Sequence, residues 1–395
     1  MYDLANTIFA LGVIGLYFPD WLTSRNIPDS RLAVTEAIAG IVVIFAAPWI
    51  GALSDHTRRR MPALVATTLA AIAATSLLAV GPEWLTFVIL AVALIAVNTG
   101  SVVYDALLPL VSTPATQGRI SGLGVGVGYI GSFIGLAIGL VALDVAGWSH
   151  ATTFRLLALG FLVFSIPTFV FIREPRLDPL PGPPPRLRAG FAELGRSWKR
   201  AKGHPHVFRF LIGRFLYTDA INTLIGGFLA IYAIEELGLE RSGSQTLLGA
   251  AIVGAIAGGV AGGRLVETFG PLRVLRVMLI LWVIALGFGV AAAVTDLTDL
   301  VWAVGPLGGF ALGATWASDR VVMVRVSPPE RLGEFYGLYA TVGRFATVLG
   351  PLVWGLIVDV LHWGRPAALA TLGLFIVAGW VVLAKVDDRP ATVNP

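Results

Sequence analysis

The chain has 395 residues, of which 56% are hydrophobic and only 13% are charged, and its formal net charge is +4. Its mean hydropathy of +0.81 lies outside the range of soluble globular domains and indicates a membrane-embedded chain. The absence of cysteine excludes disulfide frameworks and cysteine-based metal sites.

Apolar runs between charged or Pro/Gly-containing breaks predict the membrane spans. A helix needs about twenty apolar residues to cross the hydrocarbon core, and about twelve such runs occur. We place spans 1 to 12 at residues 3–21, 33–53, 63–81, 84–108, 119–142, 152–172, 207–233, 244–264, 274–294, 300–323, 334–359 and 366–385. The predicted fold class is an all-α membrane protein with twelve transmembrane helices.

One long polar segment divides the spans into two groups of six. We predict an N-terminal bundle at residues 1–172, a cytoplasmic linker at 173–206, a C-terminal bundle at 207–385 and a cytoplasmic tail at 386–395. In the linker, Phe191, Leu194 and Trp198 are predicted to share one face of a short helix on the inner leaflet. A solvated basic loop is the alternative interpretation.

Arg and Lys collect on one side of the spans, in the linker, in the tail and in loops such as the one with Arg58, Arg59 and Arg60. Positive charge favours the cytoplasmic side of a membrane. We therefore expect both termini in the cytoplasm. Arg greatly outnumbers Lys, which indicates a bacterial genome of high GC content, so we expect the protein in a bacterial cytoplasmic membrane.

The chain contains an internal repeat. Residues 111–144 align without a gap with residues 326–359, and the identities include Val111/Val326, Ser112/Ser327, Pro114/Pro329, Gly118/Gly333, Gly128/Gly343, Gly135/Gly350 and Asp144/Asp359. "DLANT" (3–7) likewise matches "DAINT" (219–223). Six spans separate the copies, so both have the same orientation. Parallel halves of this kind are typical of transporters that bind substrate between the halves.

The repeat also bears on the start of span 1. Asp219 is about ten residues inside span 7, whereas only Met1 and Tyr2 precede the matching Asp3. We expect span 1 to lack its first turns here, through a misplaced start or a trimmed chain.

Two acids stand out inside the spans. A charge near the bilayer centre costs about 2.5–3.5 kcal/mol on insertion scales, so it usually faces a cavity or a partner. Asp3 and Asp219 are predicted to carry coupling protons, because burial favours the neutral carboxyl group. The alternative is an acid locked in an ion pair with Arg214 or Arg344.

Several motifs resemble one family of membrane proteins. "GALSDHTRRR" (51–60) resembles the Gly-x-Leu-x-Asp-x-x-Gly-Arg-Arg signature of the Major Facilitator Superfamily, with Arg58 in place of the second glycine. "YDLANTIF", "RFLYTDAINTL" and "PPERLGEFYGLYATVGRFATVLGPL" resemble one of its branches, the unknown major facilitator family, which is similar to vacuolar amino-acid effluxers. Asp105 and the run Ser318-Asp319-Arg320 depart from that branch.

The resemblance implies that spans 1, 4, 7 and 10 line a central cavity. The predicted substrate residues, whose alternative role is interhelical hydrogen bonding, are Asn6, Thr7, Asn98, Tyr104, Tyr217, Asn222, Trp316, Tyr339 and Arg344. The predicted gating residues are Asp55, Arg59 and Glu267 as a latch, with Asp105, Asp319 and Arg320 at an inner gate.

Glycines recur every four residues on two spans. Span 5 has Gly131, Gly135 and Gly139, and span 8 has Gly254, Gly258 and Gly262. Either these faces form a smooth seam on which the halves rock, or they allow static close packing.

No HExxH motif, P-loop or nucleophile elbow occurs in the sequence, and the five histidines fall in predicted loops or at helix ends. We therefore expect no enzyme activity, no cofactor and no metal.

The predicted function is secondary active transport by alternating access, with proton-coupled efflux of an amino-acid-like solute. The alternatives are a broad exporter of hydrophobic compounds or lipids, and a non-transporting sensor or scaffold. The expected partners are a small-molecule substrate, protons and the lipid bilayer, with no nucleic acid, and the expected state is a monomer.

Overall fold

The computed structural model describes residues 1–57, 59–105, 107, 117–174, 187–295, 297–328 and 331–387. Within these ranges the side chains of some helical residues, Asp55 and Asp105 among them, are not described. The predicted gating roles of these two acids therefore lie outside the described part of the structure.

Helices occupy all twelve predicted spans. In chain order they are residues 2–23, Asp29–Thr57, Met61–Ser76, Glu83–Asp105, residues 117–145, His150–Phe171, residues 205–236, Arg241–Phe269, Pro271–Val294, Val301–Val326, residues 332–360 with a short break, and Arg365–Leu383. Eight of the described helices are long and apolar enough to cross a membrane, while Met61–Ser76 is apolar but shorter. The described residues thus confirm the all-helical membrane fold class, and twelve crossings remain a prediction.

Large apolar side chains on the helix surfaces indicate where lipid contacts the protein. Along span 2, Val34, Ile38, Ile41 and Phe45 are all close to half exposed and follow helical spacing. A soluble protein rarely exposes a continuous apolar stripe of this kind. Lipid tails are the solvent in which such a stripe is stable.

Contacts divide the chain into two compact units. The first consists of Met1–Ala192 with Ile225–Ile231, and the second of Glu193–Leu224 with Tyr232–Pro395. Ile225–Ile231 belongs to span 7 in sequence but to the first unit by its contacts, and the bounds of the two bundles stay a prediction. Gly227 has φ of 107° and breaks the helix at this point.

Four of the five π-helical segments among the described residues occur in repeat-related pairs, and the fifth is Tyr232–Glu236 at the end of span 7. Residues 8–17 of span 1 and 224–228 of span 7 are π-helical, and so are residues 140–145 of span 5 and 356–360 of span 11. Ala146 N–H donates to Val141 O, and at the repeat-related position Leu361 N–H donates to Leu356 O. The internal repeat is therefore present in local backbone geometry as well as in sequence.

The glycine stripes pack inside the units. In the first unit, a Cβ on Gly131 would overlap atoms of Leu4 and Thr7 of span 1. In the second, a Cβ on Gly258 would overlap Phe310 of span 10. Of the two interpretations of these stripes, close packing accounts for the observed contacts.

The linker forms a helix at Leu187–Lys202. The Trp198 ring lies edge-on to the Phe208 ring of span 7, with centroids 5.4 Å apart. The side chains of Phe191 and Leu194 lie outside the described residues. The position of this helix on the inner leaflet therefore remains a prediction.

Candidate functional site

The first unit brings together predicted site residues at the start of span 1. Tyr104 Oη of span 4 donates to Asp3 Oδ2 at 2.7 Å. The Thr7 hydroxyl lies within hydrogen-bond reach of the Gly128 carbonyl of span 5. Spans 1, 4 and 5 therefore meet through polar groups.

Asn6 belongs to the same cluster, and one of its two side-chain polar atoms has no hydrogen-bond partner among the described residues. Its Nδ2 donates to Ser101 Oγ of span 4 at 3.3 Å. Its Oδ1 is buried and has no hydrogen-bond partner in the described part of the chain. A buried amide oxygen without a donor is unfavourable by about 1–3 kcal/mol. Such an atom is suited to accept a hydrogen bond from a bound solute.

Asn98 does not join this cluster. Its side chain is exposed, and its Nδ2 donates to Leu94 O of its own helix at 2.8 Å. This bond satisfies one donor within span 4, and the predicted substrate contact of Asn98 remains a prediction.

The second unit holds Asp219 in an unusual position. Asp219 is only 1% exposed, and neither carboxylate oxygen has a hydrogen bond of good geometry with a described residue. The carboxylate points towards the backbone N–H groups of Val348, Leu349 and Gly350, where the last part of span 11 begins. A Cβ on Gly350 would come within 3.0 Å of Asp219 Oδ2, so glycine makes the close approach possible.

Neighbouring polar residues of span 7 bind backbone groups. Asn222 Nδ2 donates to Ala346 O of span 11 at 2.7 Å, and Thr223 Oγ1 donates to Asp219 O at 2.7 Å. Spans 7 and 11 therefore meet as spans 1 and 5 do, which agrees with the repeat.

A buried ion pair lies beside this region. Arg214 Nε is 3.2 Å from Asp319 Oδ2, and Tyr339 Oη donates to Asp319 Oδ1 at 3.0 Å. The Arg214 guanidinium also covers the Tyr339 ring, with its Cζ 3.8 Å from the ring centroid. Asp319 is fully buried and Arg214 is 6% exposed.

This pair changes the expectations for two residues. Arg214 binds Asp319, so the alternative in which it neutralises Asp219 is wrong for this structure. Asp319 is predicted at a gate, and its observed partners are Arg214 and Tyr339 inside one unit. Its gating role remains a prediction.

The remaining predicted residues are more dispersed. Tyr217 is fully buried, and its hydroxyl has no hydrogen-bond partner of good geometry among the described residues. The side chains of Trp316 and Arg344 are half-buried. Those of Arg59, Glu267 and Arg320 are exposed. The latch and inner gate therefore remain predictions.

Sequence reasoning missed one contact at the start of span 3. The Glu174 carboxylate accepts hydrogen bonds from Arg60 N–H and Met61 N–H, both at 2.8 Å. A carboxylate at a helix N-terminus binds donors that the helix itself leaves free. In the sequence, the only indication of this contact was the position of the acid Glu174 just after span 6.

Comparison with known proteins identifies the family. Residues 28–394 match the model of the family described as Vacuole effluxer Atg22 like. The chain belongs to this family. It is therefore a Major Facilitator Superfamily transporter and not an enzyme.

Curated relatives of this transporter include bacterial and fungal proteins. It is 25% identical to the uncharacterized MFS-type transporter YxiO of Bacillus subtilis, over 99% of this chain and 94% of YxiO. It is 27% identical to autophagy-related protein 22 of Coccidioides immitis, over 69% of this chain and 49% of the fungal protein. The chain thus spans about half the length of that fungal relative.

Solved structures show the same fold. The nucleoside transporter NupG has a TM-score of 0.71 at 13% identity, with 98% of this chain and 98% of NupG covered. A bacterial homolog of the human lysosomal transporter Spinster has a TM-score of 0.65 at 16% identity, with 97% of this chain and 92% of the homolog covered.

Proposed function

We propose that this transporter exports a small amino-acid-like solute by alternating access, with protons as the coupling ion. The observation that carries the proposal is Asp219, a buried carboxylate in the middle of span 7 whose oxygens lack good hydrogen bonds to described residues. The backbone N–H groups of Val348, Leu349 and Gly350 bring no countercharge. An ionised carboxylate without a countercharge in a membrane interior is costly, whereas its protonated form is not. Binding and release of one proton is the chemistry for which such a residue is suited.

Asp3 is the proposed second proton-binding group. It occupies the position in span 1 that Asp219 occupies in span 7, and it accepts a hydrogen bond from the Tyr104 hydroxyl. The two acids therefore have different surroundings, although the repeat relates them. This difference supports two distinguishable sites for protons rather than two equivalent ones.

The proposed substrate class rests on side-chain amides. In the first unit, the free oxygen of Asn6 suits the ammonium group of a zwitterion. In the second unit, the Asn222 amide donates one N–H to Ala346 O, and its other N–H suits a carboxylate. The family description, a vacuole effluxer, supports efflux of a solute from a compartment, and export from the cytoplasm is part of the proposal. The Arg and Lys distribution supports cytoplasmic termini in a bacterial inner membrane, and we propose that the monomer is the transporting unit.

A solute panel tests this proposal. Purified protein in liposomes is given amino acids, nucleosides and hydrophobic cations, with and without an imposed pH gradient. We expect an amino-acid-like solute to move, and to accumulate only with the gradient. Movement of hydrophobic compounds alone would favour the broad exporter, and no movement of any solute would favour the sensor or scaffold.

A further inference from the structure

Span 2 contains a carboxylate that the proposed mechanism does not use. Glu36 is half-buried in the helix Asp29–Thr57. It forms no hydrogen bond or ion pair with any residue in the part of the chain that the structure describes. At 1.5 Å per residue it lies about 7.5 Å along the helix from Arg31.

Glu36 packs against the broken part of span 7. A Cβ on Gly226 would lie 3.1 Å from Glu36 Oε1 and 3.4 Å from Oε2, so both oxygens rest against the glycine backbone. The next residue, Gly227, has φ of 107°, and a Cβ there would overlap Ile14 O and Pro19 Cγ of the first helix. The segment Ile225–Ile231 is therefore closely fitted into the first unit.

Among the described residues, no countercharge near this contact is free to neutralise Glu36. Ile225–Ile231 contains no ionisable residue. The ionisable groups that the surrounding elements bring are bound elsewhere: Arg31 to Glu83, Asp20 to His150, Tyr104 to Asp3, and Tyr17 to the Leu136 carbonyl. The Asp105 side chain of span 4 lies outside the described residues.

An ionised carboxylate pressed against glycine backbone in a membrane helix is unfavourable, whereas a neutral carboxylic acid is tolerated. We propose that Glu36 binds a proton while Ile225–Ile231 lies against it and releases that proton to water when the contact opens. In the release step the O–H bond of the carboxylic acid breaks, the proton passes to water, and the carboxylate becomes solvated. The role of this step in transport rests on the proposed function, but the contact itself can be tested without transport.

Hydrogen–deuterium exchange of Ile225–Ile231 in the intact protein measures the opening of the contact. Because intrinsic exchange also changes with pH, rates are taken relative to Leu356–Val360. The closed form holds one proton more than the open form, so raising the pH favours opening, by up to about tenfold per pH unit. We expect this dependence in the unmodified protein and its loss, with slow exchange throughout, in Glu36→Gln.

A pH dependence that is the same in Glu36→Gln as in the unmodified protein would overturn the proposal, and so would its absence from the unmodified protein. If Glu36→Gln does not fold, Gly226→Ala provides the second measurement. Its added Cβ displaces the carboxylate and should speed exchange of Ile225–Ile231. Gly287→Ala, with no atom within 4 Å of its added Cβ, should not, and equal rates in these two variants would contradict the contact.

Transport assays separate this inference from the proposed function. Suppose that Glu36→Gln loses the pH dependence of exchange, and that solute transport by the unmodified protein does not respond to the pH gradient. These two results together support the proton-binding contact and refute proton coupling. Gradient-driven transport together with exchange that does not respond to pH supports coupling and refutes the role of Glu36.

Discussion

At the scale of single residues, the strongest electrostatic feature is the pair formed by Arg214 and Asp319. Its two charges are removed from solvent and bind each other at 3.2 Å, and Tyr339 donates to the second oxygen of the acid. Desolvation of both charges opposes the attraction between them. The pair consequently fixes the geometry of spans 7, 10 and 11 more than it adds net stability.

Replacing one residue of the ion pair should therefore lower the free energy of unfolding more than replacing both residues. Asp319→Asn leaves the buried Arg214 charge unpaired, and we expect a loss of about 3–5 kcal/mol in the free energy of unfolding. The double variant Arg214→Met with Asp319→Leu should lose clearly less. Thermal unfolding of purified protein in detergent, followed by tryptophan fluorescence, gives the comparison.

The exposed acid Glu240, just before span 8, provides the control, since Glu240→Gln should unfold like the unmodified protein. An Asp319→Asn variant as stable as that control would contradict the pairing.

Sequence alone identified which side chains are polar within the spans, but not which of them bind each other. Arg214 was one candidate ion-pair partner of Asp219, while its actual partner is 105 residues away on span 10. Helical spacing does not encode such a pairing, because it depends on how spans rotate about their axes. Glu36 is an acid within an apolar run that the sequence analysis did not single out, and its contact with Gly226 required three-dimensional structure.

At the scale of helices, glycine determines how closely spans 8 and 10 approach each other. A Cβ on Gly258 would overlap Phe310 O, and one on Gly309 would overlap Ala251 O. Backbone therefore packs on backbone from both sides. Small residues allow this kind of contact between membrane helices.

Two adjacent glycines of span 8 make a matched test. Gly258→Ala places a methyl group against the backbone of Phe310. We expect this overpacking to lower the free energy of unfolding by about 1–3 kcal/mol. Gly259→Ala meets no atom within 4 Å and should be as stable as the unmodified protein or slightly more so, because alanine favours helix. Thermal unfolding of the two variants side by side measures the difference, and equal melting of both would exclude the close approach.

The spacing of these glycines predicted a common face but left its partner open. The structure pairs span 8 with span 10 and span 5 with span 1. The π-helical segments had no signal in the sequence. Their recurrence at repeat-related positions nevertheless follows from the repeat, because similar residues meet similar neighbours in each unit.

At the scale of the whole molecule, the repeat was the most informative feature of the sequence. It predicts two like-oriented bundles, which stay a prediction. By contacts the chain divides into two compact units, and Ile225–Ile231 of span 7 is the exception to a division along the sequence. A helix break at Gly227 explains the exception. Periodicity cannot locate such a break, because glycine is also common inside intact membrane helices.

The central claim is that Asp219 carries a coupling proton. Proton movement is measured with a pH-sensitive dye inside liposomes when a transported solute is added without an imposed gradient. The unmodified protein should change the internal pH as solute moves. Asp219→Asn, which keeps the shape but cannot release a proton, should clearly reduce the pH change per solute moved, while Glu240→Gln should retain it. Solute-driven proton movement as large in Asp219→Asn as in the unmodified protein would contradict the account.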